Sequence, residues 1–330
     1  MKRVALSLVL AAGMATSAMA ADMATKAPPA PAPAPSPWDV AITAGLMNDY
    51  IFRGVTQSAH KPSTQAGFEA RYNFNPTWQG YVGVSGESID FPNRAAAEID
   101  VYGGVRPTFD KLALDFGFWE YYYPGGQCFN AGAAGIPSCA GQGIGPPVNL
   151  PNGNVVKADE SFWEVYAKGT YTVNDNLAFG GQFYYSPSVV NTGAPGEYYG
   201  GTVTLTAPST WFADGWGGYI SGDVGYWSLG TSDTFYGTGT GTPFAGGVKY
   251  TSYTNWDAGG GFTYKAFTLD LRYSDSNLTK AECNVFTSDQ TATFNKSNIT
   301  SQNPGGLGSN WCGAAYVAKL SFATNLSSIK

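Results

Sequence analysis

Charge is scarce in this sequence, at 13% of its 330 residues, against roughly a quarter in an ordinary soluble domain. Histidine is scarcer still, with His60 standing alone. The net charge is −6 and no basic cluster occurs, which excludes the electrostatic footprint of a nucleic-acid binder. Low charge joined to 15% aromatic residues excludes a disordered chain, which would be charged and poor in rings. Beyond the N-terminal segment no apolar run reaches the roughly 18 residues of a membrane-crossing helix. A G-x-S-x-G nucleophile elbow is missing, as is any close Cys–His set that would hold a metal. The glycine-rich pieces Gly141–Gly145 and Gly237–Gly241 lack the strand–helix context of a phosphate cradle. No cofactor or metal is therefore expected.

What is present begins with an address. Lys2 and Arg3 precede the apolar stretch Val4 to Ala15, and Ala18-Met19-Ala20 follows in a small-x-small pattern. Residues 1–20 thus read as a secretory signal peptide. Residues 21–37 alternate Pro with Ala, a composition that favours extended polyproline II and so a semi-rigid periplasmic tether.

From Trp38 the apolar period is two. In Leu112-Ala113-Leu114-Asp115-Phe116-Gly117-Phe118-Trp119, and again in Phe267-Thr268-Leu269-Asp270-Leu271-Arg272-Tyr273, every second residue is large and apolar. Such alternation makes one face of a strand oily and the other wet. Twelve candidate strands begin near Trp38, Thr64, Trp78, Ala97, Leu112, Ser161, Leu177, Glu197, Gly218, Tyr253, Ala266 and Cys312; no helix is expected. Tight turns such as Asn75-Pro76-Thr77, Asp110-Lys111, Asn174-Asp175-Asn176 and Lys265-Ala266 take turns with long connections, of which Pro124 to Glu160 and Asp275 to Gly308 are the longest. One trim rim and one elaborate rim is the pattern of an up-and-down antiparallel transmembrane β-barrel. The fold expected is therefore all-β, with about 12 strands over residues 38–322 and a tail at 323–330.

The wet faces carry Glu69, Arg71, Glu98, Asp100, Arg106, Asp115, Glu164, Lys168, Asp223, Asp257, Asp270, Arg272 and Lys319, eight acids against five bases. The opposite face carries Phe68, Phe116, Phe179, Phe262, Leu271 and similar bulk, too much for one small closed interior and suited to a lipid-facing belt. Glu98 and Asp100 are expected to line the lumen, balanced by Arg71, Arg106 or Lys168. Aromatic residues near strand ends, among them Trp38, Trp78, Trp119, Tyr121, Tyr122, Tyr123, Trp163, Tyr184, Tyr185 and Trp256, are expected to form headgroup-level girdles.

Cys128 and Cys139 share one long connection, and Cys283 and Cys312 bracket another. Four cysteines allow three pairings; pairing within each loop is the simplest, and an exported chain can keep such bonds.

The segment Asn48-Asp49-Tyr50-Ile51-Phe52-Arg53-Gly54-Val55-Thr56-Gln57-Ser58, followed by Pro62-Ser63-Thr64-Gln65-Ala66-Gly67-Phe68-Glu69, resembles the opening of the TorF-type family. These are exported bacterial proteins, also filed as a Gly-Cys-Trp family of unknown function, with a suggested role as porins. Val82-Gly83-Val84-Ser85-Gly86 adds to the likeness. The resemblance sets apart Asp49, Tyr50, Phe52, Arg53, Gly54, Gln57 and Ser58; Arg53 is expected to bond acidic lining near the rim. The Pro-rich tether and the cysteine-bearing loops depart from the family pattern.

The expectation is a barrel in the bacterial outer membrane, with tether and C-terminus on the periplasmic side, passing small polar solutes or ions. Its last strand, ending at Phe322, resembles the terminal strand of such barrels. The lining excess of acids implies a mild cation preference. Its partners would be outer-membrane lipid and those solutes, with association into a homo-oligomer left open. Two rivals are a non-conducting receptor or adhesion scaffold, and a lipid-modifying enzyme using His60 beside Ser58; no catalytic activity is expected.

Overall fold

In a computed structural model, residues 37–130, 139, 150–238 and 244–326 are described. The expected leader at 1–20 lies outside them, as does the tether apart from Pro37.

Twelve strands close into a single antiparallel barrel in chain order. They are β1 (Trp38–Met47), β2 (Ser63–Asn73), β3 (Trp78–Glu87), β4 (Glu98–Phe109), β5 (Leu112–Tyr122) and β6 (Phe162–Asn174). They continue with β7 (Leu177–Ser186), β8 (Gly196–Thr206), β9 (Trp216–Leu229), β10 (Tyr253–Tyr264), β11 (Phe267–Ser276) and β12 (Ala315–Asn325). The barrel seals where β12 pairs with β1, from Ala41 opposite Asn325 to Met47 opposite Lys319. Each expected strand start falls within three residues of the observed one. Ala323, Thr324 and Asn325, expected in a tail, are wall residues of β12.

Local chemistry explains the turns. Phe109 pairs with Leu112 across Asp110-Lys111, and Asp110 takes a positive φ of 50°, which Asp tolerates better than most side chains. Period-two alternation then fixes which face each side chain takes, since a one-residue slip would turn every phenylalanine inward. Phe68, Val101, Phe116, Phe179, Ile220, Phe262, Leu271 and Leu320 all stand exposed on the outer surface. An apolar face running right round a closed barrel is stable against lipid and not against water. Strands of 10 to 14 residues are long enough to cross a bilayer when tilted.

The buried core lies inside the barrel and over one mouth. It joins Tyr121, Tyr166, Tyr184, Tyr198, Trp227 and Tyr253 from the wall to Phe52, Val55, Phe91, Val189, Tyr250 and Trp311 from the long loops. This corrects part of the expected girdle. Trp38, Trp78, Tyr122, Trp163 and Trp256 do face outward, but Tyr121, Tyr123 and Tyr184 are buried inside, and Trp119 stacks on Tyr102 with ring centroids 4.1 Å apart. Strand parity places them: Tyr121 shares the inner face of β5 with Asp115.

A second departure is helix α1, Lys280–Thr287, opened by a capping box between Thr279 and Glu282. Both disulfides form within their own loops, Cys128–Cys139 and Cys283–Cys312. The latter ties α1 to the chain entering β12, where Ser276 Oγ also donates to the Cys312 carbonyl at 2.6 Å.

Candidate functional site

The lumen is occupied by a piece of the protein's own first outer loop. Residues 48–62 leave β1 and fold into the mouth as a miniature hairpin, Ile51–Phe52 against Val55–Thr56. Its turn is Arg53-Gly54, with φ of 47° and 77°, the positive pair that a two-residue type I′ turn requires. Glycine is needed twice over at 54, because a Cβ there would sit 2.9 Å from the Asn255 side chain on the wall.

Arg53 anchors this stopper. Its two terminal nitrogens donate to the two Glu164 oxygens, each at 2.8 Å, a bidentate fork. The guanidinium lies 4.2 Å from the Tyr198 ring centroid and 4.4 Å from that of Trp227, with Phe52 and Tyr184 also within 5 Å. Such desolvated cation–π contacts are worth about 2 kcal/mol. Burial works to lower the Arg53 pKa, but Glu164 outweighs it and the net shift is upward, so the charge is retained. Tyr253 Oη donates to the Arg53 carbonyl at 2.9 Å, and Tyr121 Oη to Glu164 at 3.1 Å. Other motif residues hold the loop to itself: Asp49 accepts from Thr56 Oγ1 at 2.5 Å, and the Gln57 backbone amide donates to the Tyr50 carbonyl at 2.7 Å.

The loops cap the stopper from outside. The Thr56 amide donates to the Trp311 carbonyl at 2.9 Å. A small apolar cavity of about 60 Å³ lies between Phe52, Val55, Phe162, Phe286 and Trp311, with Glu160 at its edge. Burial, with Asp159 beside it, pushes the Glu160 carboxyl up to about 8 against the pull of Lys157.

His60 and Ser58, the pair an enzyme would need, do not form a hydrogen bond. His60 Nδ1 lies 2.6 Å from Asp49 Oδ2 and Nε2 lies 3.1 Å from the Asn310 carbonyl. Ser58 Oγ lies 3.1 Å from the other Asp49 oxygen and 2.7 Å from the Lys61 carbonyl. Asp49 thus stands between them, and both imidazole nitrogens face acceptors, so the ring is placed to donate rather than to take a proton from serine. The hydrogen bond to Asp49 raises the His60 pKa, against a smaller lowering by partial burial.

All the wet-face residues named from sequence sit on inner faces of the wall, but they divide into two regions. On β2–β6, Arg106 donates to both Glu69 oxygens at 2.6 and 2.9 Å and to Asp115 at 3.2 Å. Arg71 Nε donates to Glu69 at 2.5 Å, Tyr81 Oη donates to Asp115 at 2.5 Å, and Tyr81 and Tyr166 bond through their hydroxyls. Lys168 lies 4.3 Å from the Tyr166 ring centroid. The two arginines pair with other acids and Lys168 lies over aromatic rings, so the expected balancing of Glu98 and Asp100 by Arg71, Arg106 or Lys168 does not occur. Glu98 instead accepts from Tyr50 Oη at 2.6 Å and Tyr123 Oη at 2.9 Å.

On β7–β12 and β1 the inner faces carry Tyr184, Tyr198, Trp227 and Tyr253 toward the outer rim and mostly small or polar side chains below them, and a cavity of about 160 Å³ remains. It runs beside the stopper from Met47 and Asp49 at the outer rim to Thr204 and Asp270 nearer the tight turns. Arg272 bonds Asp257 and, at 3.1 Å, Asp270. Among the described residues Asp223 accepts a hydrogen bond from Gln182 Nε2 alone, at 3.5 Å. Sequence reasoning missed Glu87, Tyr81, Tyr166 and Gln182; parity would have found Glu87, which follows Tyr81 and Ser85 on the inner face of β3.

Residues 31–138 match the model of a family described as bacterial protein of unknown function (Gcw_chp), which is the Gly-Cys-Trp family whose opening motif the sequence resembles. That span holds the whole stopper and the wall through β5. No curated protein matches the chain. Among solved structures, it is similar to the COG4313 outer membrane channel from Pseudomonas putida F1, at 10% identity over 91% of this chain and 100% of that one, with a TM-score of 0.40. It is likewise similar to LpxR from Salmonella typhimurium, at 10% identity over 86% and 99%, TM-score 0.41. A third is OmpT of Vibrio cholerae, at 12% identity over 87% and 96%, TM-score 0.34. Likeness at this level carries no functional information.

Proposed function

We propose that the protein is an outer-membrane channel for small polar solutes or ions, held shut by the 48–62 hairpin and opened when that hairpin leaves the mouth. The observation that carries this reading is the cavity running beside the stopper, with Asp223, Asp257, Asp270 and Arg272 in its lining, inside a barrel whose outer surface is built for lipid. A protein that needed only a surface scaffold would gain stability by filling that space with side chains. The stopper is held by one ion pair, ring contacts and hydrogen bonds, all reversible, with no covalent tie to the wall among the described residues.

Acids exceed bases around the cavity, where Asp49, Asp223, Asp257 and Asp270 face Arg53, Arg272 and Lys319. The preference expected is for cations, weak and screened by salt. Planar-bilayer recordings test both points. The native protein is expected to open rarely, and Glu164→Gln to raise the open probability by releasing Arg53. A salt gradient should give a cation-selective reversal potential that Asp223→Asn reduces. Silence from both native and Glu164→Gln barrels would overturn the channel reading.

One observation favours a second reading. Hairpin and loops together close the outer mouth, as they would in a non-conducting receptor or adhesion scaffold. The same recordings separate the two.

A further inference from the structure

At the outer end of β3 and β4 three carboxylates are packed together, and no ion pair reaches any of them among the described residues. Glu87 is directly opposite Glu98 in the β3–β4 ladder, and Ser85 is opposite Asp100. Like charges placed opposite each other destabilise a strand pair. All three residues are at least nine-tenths buried, at 4%, 2% and 3% exposure, and burial of unpaired charge is costly. Glu87 Oε2 and Asp100 Oδ1 are buried with no hydrogen-bond partner at all. Among the described residues no base forms an ion pair with them: Arg53 pairs with Glu164, Arg71 and Arg106 with Glu69, and Lys319, whose charge acts on Glu87 without touching it, donates from Nζ to the neutral Gln65 Oε1 at 2.7 Å.

One oxygen from each carboxylate lies within 4.8 Å of the others. Calcium takes oxygen ligands at 2.3–2.6 Å, so two of them on opposite sides of one ion stand about 5 Å apart. The spacing therefore matches a single ion held between the three groups. Magnesium fits less well, because it keeps shorter bonds, strict octahedral geometry and most of its water, which a buried cluster excludes.

We propose that Glu87, Glu98 and Asp100 form a binding site for one calcium ion on the inner wall beneath the outer rim. The ion satisfies the two partnerless oxygens and cancels the repulsion between β3 and β4. It also fixes the carboxylate of Glu98 that holds Tyr50, so that calcium on the wall and the stopper in the mouth are linked. The site goes beyond the channel reading and does not rest on it.

The test uses the full chain purified in detergent and stripped with chelator, titrated calorimetrically with calcium chloride alone. Saturable binding of one calcium per chain is expected, with a rise in unfolding temperature. Both should be lost in Glu87→Gln/Asp100→Asn, and in chelator this variant should unfold no lower than the native protein, because neutralising it removes repulsion. Should the double variant not fold, Asp100→Asn alone is expected to weaken calcium at least tenfold. Absence of saturable binding by the native protein, unchanged affinity in the variants, or equal affinity for magnesium would each overturn the assignment. Binding is measured without conduction, so its failure leaves the channel reading untouched.

Discussion

Between β2 and β6 the lumen is filled by Tyr81, Tyr102, Trp119 and Tyr166, laced by Arg106 to Glu69 and Asp115. From β7 round to β1 it is hollow below the rings of Tyr198 and Trp227, faced there by Thr202, Thr204, Ser221 and Asp223. The two sides share one barrel, one strand rhythm and a similar charge inventory, yet only one encloses space. The difference is side-chain volume on the inner face. Glycine serves opposite ends in the two: a Cβ at Gly117 would meet Tyr166 Oη at 2.5 Å, so glycine there admits a ring, whereas around the cavity small residues leave room empty. A barrel of this strand number can thus be packed on one side and open on the other.

The largest expected effect comes from breaking the packed side. Arg106→Met leaves the buried Asp115 without its ion-pair partner and Glu69 with Arg71 alone, and should cost about 3–5 kcal/mol, read by denaturant unfolding in detergent. Arg272→Met, whose partner Asp257 faces the cavity, should cost clearly less; equal losses would erase the contrast. Next, Gly117→Leu should cost about 1–3 kcal/mol by overpacking and leave conductance unaltered. Thr202→Trp should do the reverse, cutting conductance severalfold at little cost in stability.

The loops give smaller effects with a pH signature. Glu160 has a folded value of about 8 against 4.5 ordinarily, so the folded protein holds the extra proton between those limits. Stability therefore falls as pH rises from about 4.5 to about 8 and levels off above. Glu160→Gln should flatten that slope in a pH series of unfolding temperatures. The smallest effect belongs to His60, whose raised pKa gives a contribution complete below its ordinary value of 6.5 and lost as pH climbs through the folded value. Because its side chain is 38% exposed, His60→Gln should cost less than about 1 kcal/mol at low pH, and nothing in mildly alkaline solution.

Strand positions were legible because a bilayer enforces period two, as Leu112 to Trp119 displays, and because the turns of one rim are short, the connection around Ser209–Trp211 between β8 and β9 being the long one. Wet-face membership was equally legible, since parity decides it. What each wet residue does was not. Glu98 and Arg106 lie on the same strand face, yet one meets two tyrosine hydroxyls and the other two acids, and that depends on which strands neighbour them and on a loop folding inward. The stopper escaped notice although its motif was singled out, because a hairpin of two-residue strands has no periodicity to read. Nearness to strand ends suggests girdle positions for Tyr121 and Tyr184, whereas alternation along their strands places both inside. Helix α1 is a single capped pair of turns within a long loop, too short to show an amphipathic pattern.

The pairing of β12 with β1 has a consequence for biogenesis. The seam joins the first wall strand made to the last, so every partly finished sheet carries two raw edges able to recruit a neighbour. Closure must also await the longest-range contact in the chain, and such contacts form slowly. Until Asn325 reaches Ala41 those margins stay open, so the seam is where the sheet becomes a barrel and where its exposure to a neighbour ends.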